Sequence, residues 1–279
     1  MNIYNNIADI RQSRWADPQL SWGLVPTMGY LHEGHISLVE RARQENDRVG
    51  VSIFVNPTQF NDPKDLAVYP RNLERDLAML QAAGADLIWT PTPEQVYPPE
   101  YQTYITVETV TQVLEGAARP GHFRGVATVV AKLFNVFQPH RAYFGQKDAQ
   151  QVAVIKRMVQ DLNFNLTVIS CPTLREADGL AMSSRNVNLT PEARQQATCL
   201  YQALSAAKAA FEQGERSANH LRQMMTVVIQ AAPLARIDYI SITHPDTLME
   251  LETLEQTALF SMAVFMGKVR LIDNMQMVS

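Results

Sequence analysis

His32 and His35 stand three positions apart, around Glu33 and Gly34, within "VPTMGYLHEGHISLVERAR" (residues 25–43). Imidazoles in such a cluster can ligate a metal, donate hydrogen bonds to an anion, or simply pack. A zinc protease needs H-E-x-x-H, which sets its two histidines one helical turn apart. Here the spacing is H-E-x-H, and no further His, Cys or Glu cluster lies nearby in the sequence to complete a tetrahedral site. The preceding "WGLVP" (22–26) is a short apolar run closed by Pro26 and reads as a buried strand. Leu31, His35, Leu38 and Ala42 then recur at helical spacing. The segment is thus strand, glycine-containing turn, helix. Gly29 allows backbone to approach a ligand closely. The unpaired N–H groups of a helix start, with its dipole, favour phosphate or carboxylate there. An anion site with donating histidines fits this pattern. The plain alternative is a packed helix histidine, His35, beside a loop histidine, His32.

Other segments carry groups of similar use. "FGQKDAQQ" (144–151) sets Lys147 and Asp148 at a strand-to-helix turn, with Gln151 on the same helix face as Lys147. A lysine there can hold phosphate as a point charge. "AMSSRN" (181–186) offers two hydroxyls and Arg185. "RPGHFRGV" (119–126) combines Arg, His and Gly before a helix, as an anion-binding loop would. Gln59 in "NPTQF" has donors and an acceptor suited to hydroxyls or a carboxylate. Each also has a bland reading as solvated surface or linker. No P-loop, G-x-S-x-G elbow or G-x-G-x-x-G turn is present.

These residues need a scaffold, and the pattern up to about residue 172 supplies one. β-like runs at 48–56, 86–91, 141–145 and 165–172 alternate with helical patterns at 70–84, 125–139 and 148–162. Continuous apolar strands separated by helices imply a parallel sheet covered on both faces. Such sheets bind ligands beyond the carboxyl ends of their strands. "PTMG", "NPTQF", "FGQKD" and "CPTLREADG" all follow strands and are expected on that edge. After Arg175 the chain turns polar and irregular. Two helices (about 190–213 and 217–231) and the β-like runs "RIDYISIT" and "TALFSMAVFMGKVRLID" follow. The expected fold class is α/β: a Rossmann-like parallel-sheet domain over 1–175 and a smaller C-terminal α+β domain over 176–279.

The 279 residues are enough for one large or two moderate domains, and 46% hydrophobic with 19% charged residues is a globular balance. A net charge of −4 speaks against a nucleic-acid partner. The polar start "MNIYNNIADIRQSRW" makes a secretory leader unexpected, and the apolar runs are too short for a membrane span. Two distant cysteines, Cys171 and Cys199, suit a reduced cytoplasmic setting.

"HEGH" followed downstream by "MSSR" resembles the paired signatures of the HIGH-motif nucleotidyltransferase superfamily. More closely, "PTMGYLHEGHISL", "VSIFVNPTQF", "YPRNLERD", "RPGHFRGVATVVAKLFN", "FGQKDAQQ" and "READGLAMSSRN" together resemble the pantothenate synthetase (pantoate–β-alanine ligase) family, in the family's order, over about residues 21–190. Ala181 stands where the wider superfamily motif opens with lysine, leaving Arg185 as the cation of its loop. Asn61 and Lys64 lie in a loop that tends to be glycine-rich in the family.

The resemblance implies ATP-dependent condensation of pantoate with β-alanine to pantothenate, AMP and diphosphate through a pantoyl adenylate. It implies ATP against Met28, Gly29, Tyr30, Leu31, His32, Glu33, Gly34 and His35. It also implies ATP against Gly145, Gln146, Lys147, Asp148 and Leu174, and against Met182, Ser183, Ser184 and Arg185. His35, His32, Lys147 and Arg185 take catalytic roles, with His35 as proton donor. Gln59 and Gln151 hold pantoate, with Gln59 also near β-alanine. Magnesium is expected on the nucleotide phosphates, with Asp76 as a candidate protein ligand. The smaller domain is expected to act as a lid, and the chain to form a homodimer. A cytidylyltransferase, an aminoacyl-tRNA synthetase and a non-catalytic nucleotide sensor are the rival readings.

Overall fold

Apolar runs bounded by proline, glycine and polar residues become the strands of a central sheet. The structure, a computed structural model, describes residues 1–278. It divides into two units: residues 1–145 with 154–172, and residues 146–153 with the chain from Thr173 onward. The segment carrying Lys147 and Gln151 therefore belongs with the C-terminal unit.

The first unit begins with β1 (Asn2–Tyr4) and α1 (Ile7–Trp15), neither marked in the sequence pattern, then β2 (Trp22–Thr27), α2 (Glu33–Glu45) and β3 (Arg48–Ile53). Short α3 (Pro63–Val68) leads to α4 (Leu73–Ala82) and β4 (Leu87–Trp89). α5 (Pro93–Val96), α6 (Leu114–Ala118) and the long α7 (His122–Phe137) precede β5 (Arg141–Gly145). α8 (Ala149–Asp161) and β6 (Thr167–Cys171) complete the alternation. The six strands run parallel in the order β1-β4-β3-β2-β5-β6. Strand order reverses beside β2, between β3 and β5, and such a reversal opens a crevice at the strands' carboxyl ends. Leu24, Val25, Val49 and Val51 are fully buried, because helices cover both faces. α2 and α4 pack Leu38, Val39, Ala42 and Leu80 into one core with these strands.

Differences from the expected boundaries have local causes. α4 starts at Leu73 rather than Pro70 because the Asn72 side chain accepts from the Arg75 amide and caps it. α7 starts three residues before the expected helix, at His122, and stops where Gln138 turns left-handed. β3 ends at Ile53, and Pro57–Gln59 form a 3-10 turn.

In the second unit α9 (Pro191–Gln196), α10 (Cys199–Glu212) and α11 (Ala218–Gln230) precede β7 (Ala235–Thr243), β8 (Thr257–Met266) and β9 (Val269–Val278). The expected helix over 190–213 is two helices, broken at 197–198, where the Thr198 hydroxyl donates to the Gln195 carbonyl. The last apolar run is a hairpin of β8 and β9, and the three strands form an antiparallel sheet in the order β7-β8-β9. Leu200, Leu204, Phe211, Leu221, Met225 and Ile229 cover it through Phe260, Met262 and Val264. The α/β class with a smaller α+β part is thus as read. No helix among the described residues is long and apolar enough to cross a membrane.

Candidate active site

The turn after β2 is held by hydrogen bonds to β3 and to α4. The Thr27 hydroxyl donates to the Ser52 carbonyl (2.8 Å) and accepts from the Gly29 amide (3.3 Å). Gly29 sits at φ +81° and Tyr30 at φ +51°. A Cβ on Gly29 would lie tightly at 3.0 Å from Ile53 and 3.1 Å from Asp76, and the positive φ strains any side chain there. Both Asp76 oxygens accept here, from the Tyr30 and Leu31 amides, each at 2.7 Å. Leu31 then enters the core, and His32 caps α2.

The two histidines form a reciprocal capping box. His32 Nδ1 accepts from the Gly34 amide (3.1 Å), and His35 Nδ1 accepts from the His32 amide (3.3 Å). The rings lie 4.1 Å apart between centroids, tilted by 43°. A nitrogen that accepts carries no proton, so each neutral ring bears its proton on Nε2. The fold therefore sets two imidazole Nε2–H groups at the positive end of a helix, a donor array suited to phosphate oxygens. Met28 and both histidines are half-buried and Glu33 is exposed.

Gln59 ends the 3-10 turn after β3. Its Oε1 accepts from Asn56 Nδ2 (3.0 Å), and its Nε2 donates to Met28 Sδ (3.3 Å), which ties this loop to the one after β2. Asn56, 1% exposed, also donates to the Gly125 carbonyl and accepts from the Thr58 and Tyr97 hydroxyls (3.0 and 2.9 Å). Burial pushes the Tyr97 hydroxyl up to about 12, so it stays a donor at neutral pH. The "RPGHFRGV" segment, read as an anion loop, supports Gln59 instead: His122 Nδ1 donates to the Gln59 carbonyl at 2.8 Å, and His122 is buried. α7 comes so close that a Cβ on Gly125 would lie 2.5 Å from the Thr58 carbonyl oxygen. Asn56, Tyr97 and the buried role of His122 escape the sequence reading. Their long-range partners lie 41 to 69 residues away, where spacing carries no signal.

In the second unit the chain leaves Gly145, the last residue of β5, and forms a 3-10 turn over Gln146–Asp148. Lys147 Nζ lies 3.7 Å from Asp148, with the lysine largely buried and the aspartate exposed. Gln151 is half-buried one turn along α8. The MSSR segment leaves a narrow hairpin: Met182 N donates to the Leu174 carbonyl (3.0 Å), and Arg175 bridges Ala181. Ser183 Oγ accepts from the Arg185 amide and caps the short turn Ser184–Asn188. Lys147, Ser183 and Arg185 line one recess, together with Arg270 and Asp273. Leu174 is exposed, Met182 and Ser184 are half-buried, and Arg185 is exposed. Arg270, bound to Asp238 at 2.8 Å, is a further cation there that the sequence reading missed.

Asp76 has a structural role that the sequence did not mark. It is 1% exposed, and each oxygen accepts from a backbone amide. That geometry makes it the anchor of the Gly29–Leu31 turn. No group of three or more His, Cys, Asp or Glu able to hold a metal occurs among the described residues. Cys171 and Cys199 are free and buried, and burial raises both thiols, Cys199 to about 11. Neither is an activated nucleophile.

The sequence family model for pantoate–β-alanine ligase matches residues 2–276. The chain belongs to that family. A pantothenate synthetase from Roseiflexus sp. (strain RS-1) is 57% identical over 98% of both chains. The crystal structure of pantothenate synthetase from Thermus thermophilus superposes with a TM-score of 0.94 at 49% identity, over 99% of each chain. A pantoate–β-alanine ligase from Francisella tularensis, complexed with "Beta-gamma ATP" and β-alanine, gives 0.80 at 38% identity, covering 99% of this chain and 97% of its own.

Proposed function

We propose that the chain ligates pantoate to β-alanine with ATP, giving pantothenate, AMP and diphosphate. The family assignment supports this, and so does the Francisella ligase crystallised with an ATP form and β-alanine. The observation that carries the mechanism is the pair of imidazole Nε2 donors fixed at the start of α2 by their own capping bonds.

A pantoate carboxylate oxygen attacks the α-phosphorus, the bond to diphosphate breaks, and a pantoyl adenylate forms. The β-alanine amine then attacks the acyl carbon, loses a proton, and AMP departs. Negative charge shifts to the phosphate oxygens as the first step proceeds, so positioned donors are the main requirement. His35 and His32 donate to those oxygens, with His35 as proton donor. Lys147 and Arg185 offset the charge of departing diphosphate. Met28 to His35, Gly145 to Asp148, Leu174 and Met182 to Arg185 form the nucleotide contacts. Gln59, held by Asn56 and Met28, and Gln151 bind pantoate. Gln59 also meets β-alanine. Magnesium, when bound, neutralises nucleotide phosphate charge, and this chain's share is the cations Lys147 and Arg185. The C-terminal domain as a lid, a homodimer and a cytoplasmic setting belong to the same reading.

Isotope exchange tests it. Labelled diphosphate should enter ATP only when ATP, magnesium and pantoate are all present, without β-alanine. Adding β-alanine should release AMP and pantothenate. ADP as the main nucleotide product would overturn the adenylate route. A requirement for CTP and a phosphorylated acceptor would point to a cytidylyltransferase.

A further inference from the structure

Two adjacent residues near the end of the chain reach both phosphate-side segments of the second unit. Asp273 and Asn274 follow one another on β9, opposite Met262 and Ser261 of β8. Both are buried, at 2% and 5% exposure, in a sheet whose packed face is mainly aliphatic and aromatic. Polar side chains in such a place need specific partners.

Those partners belong to the two catalytic segments. Asn274 Nδ2 donates to the carbonyls of Gln146 (2.9 Å) and Lys147 (2.8 Å), two successive residues of the turn that presents the lysine. One amide group thus fixes the peptide on either side of the Lys147 Cα. Asp273 takes the other segment. Its carboxylate receives both terminal nitrogens of Arg175, at 2.7 and 3.0 Å, in a two-pronged pair. Arg175 also donates to the Gly179 carbonyl (3.0 Å) and bridges Ala181, directly before the MSSR segment. The Asn274 amide itself donates to Asp273 Oδ1 (2.8 Å), which couples the two anchors.

We infer that Asp273 and Asn274 are positioning residues, and that this dyad sets the separation between the Lys147 turn and the Ser183–Arg185 segment. Asn274 acts through Lys147 and Asp273 acts through Arg175. Consecutive residues of one strand have a fixed spacing, so the two cation carriers are referred to a single rigid element. The inference rests on the ligase reading for its chemistry but not for its geometry. Lys147 and Arg185 share a recess with Asp273 whatever anion they hold.

The test is a double-mutant cycle on the full-length chain, read by pantoate-dependent diphosphate exchange and by calorimetric ATP binding. Asn274→Ala should lower the exchange kcat about 10-fold or more, the scale set by sub-ångström to 1 Å misplacement of a charged group. The pantoate KM should change much less than kcat, because Gln59, one of the two residues assigned to the acid, lies outside this turn. Asn274→Ala combined with Lys147→Ala should be no worse than Lys147→Ala alone within about threefold, since a lysine already removed has no position to lose. Multiplicative losses would show a merely structural role and overturn the inference, as would a wild-type rate for Asn274→Ala. If the alanine variant melts far below the wild type, Asn274→Ser replaces it in the same cycle. If the unmodified protein exchanges no diphosphate, the ligase reading falls. The dyad is then judged on ATP affinity, where the same non-additivity is expected and additive losses refute it.

Discussion

Asp76→Asn separates a loop anchor from a metal ligand. The carboxylate is 1% exposed, and its two oxygens accept from the Tyr30 and Leu31 amides at 2.7 Å each. The asparagine side chain keeps one acceptor and sets an NH₂ group against the other amide. A hydrogen bond to a charged group contributes about 1.5–3 kcal/mol, and an apposed buried donor pair adds a desolvation cost of about 1–3 kcal/mol. The surviving bond also weakens from charged to neutral, and the turn relaxes to absorb part of the strain. A net loss of about 3 kcal/mol is the central expectation. For a domain of this size that corresponds to a fall in melting temperature of about 6–12 °C. The turn also holds Gly29 and Tyr30 at positive φ just ahead of the histidine cap, so diphosphate exchange should fall with stability. Scanning calorimetry and a magnesium titration of the exchange rate, run on the same sample, decide the matter. An unchanged melting temperature with a large rise in the magnesium requirement would refute the anchoring role and restore the metal reading.

Further outcomes follow from the same geometry. His35→Gln retains a capping-box acceptor but no imidazole, so turnover should drop by roughly 10²-fold or more while the melting temperature moves little; near-full activity would remove His35 from the chemistry. Gly125→Ala pushes a methyl to 2.5 Å from the Thr58 carbonyl and should raise the pantoate KM well above any change in the ATP KM. A wild-type pantoate KM would show that the loop yields freely. Gln151→Ala should raise the pantoate requirement about 10- to 100-fold, the equivalent of one hydrogen bond to a charged group; equal weakening of ATP would count against its assignment.

Much of the scaffold was legible because both faces of the parallel sheet are covered. "WGLVP" and "RAYFG" read as strands since burial on two sides demands unbroken apolar runs. The histidine turn was legible for another reason: H-E-x-H is a local spacing, and its capping bonds span only two and three residues. β1 went unread because three residues give no periodicity, and it exists only through pairing with β4. The roles of Asp76, His122 and the Asp273–Asn274 pair were hidden for a shared cause. Each binds main-chain atoms or an arginine 45 to 128 residues away, and a backbone amide leaves no mark in side-chain pattern. The Arg-His-Gly composition of "RPGHFRGV" suggested an anion loop, but burial turned that imidazole inward to a carbonyl.

Helix α7 has a consequence for redesign. Thirteen of its sixteen residues are buried, leaving Arg124, Lys132 and Asn135 as its only outward positions. The Gln59 loop rests on this helix at Gly125, with no side chain between the two backbones. Its shape therefore depends on the helix as well as on its own Asn56, Thr58 and Gln59 bonds. Grafting a loop from another enzyme onto this frame would transplant residues without their conformation. A change of acid specificity has to proceed by side-chain exchange at the tips, because the path of the chain is already written into the helix beneath it.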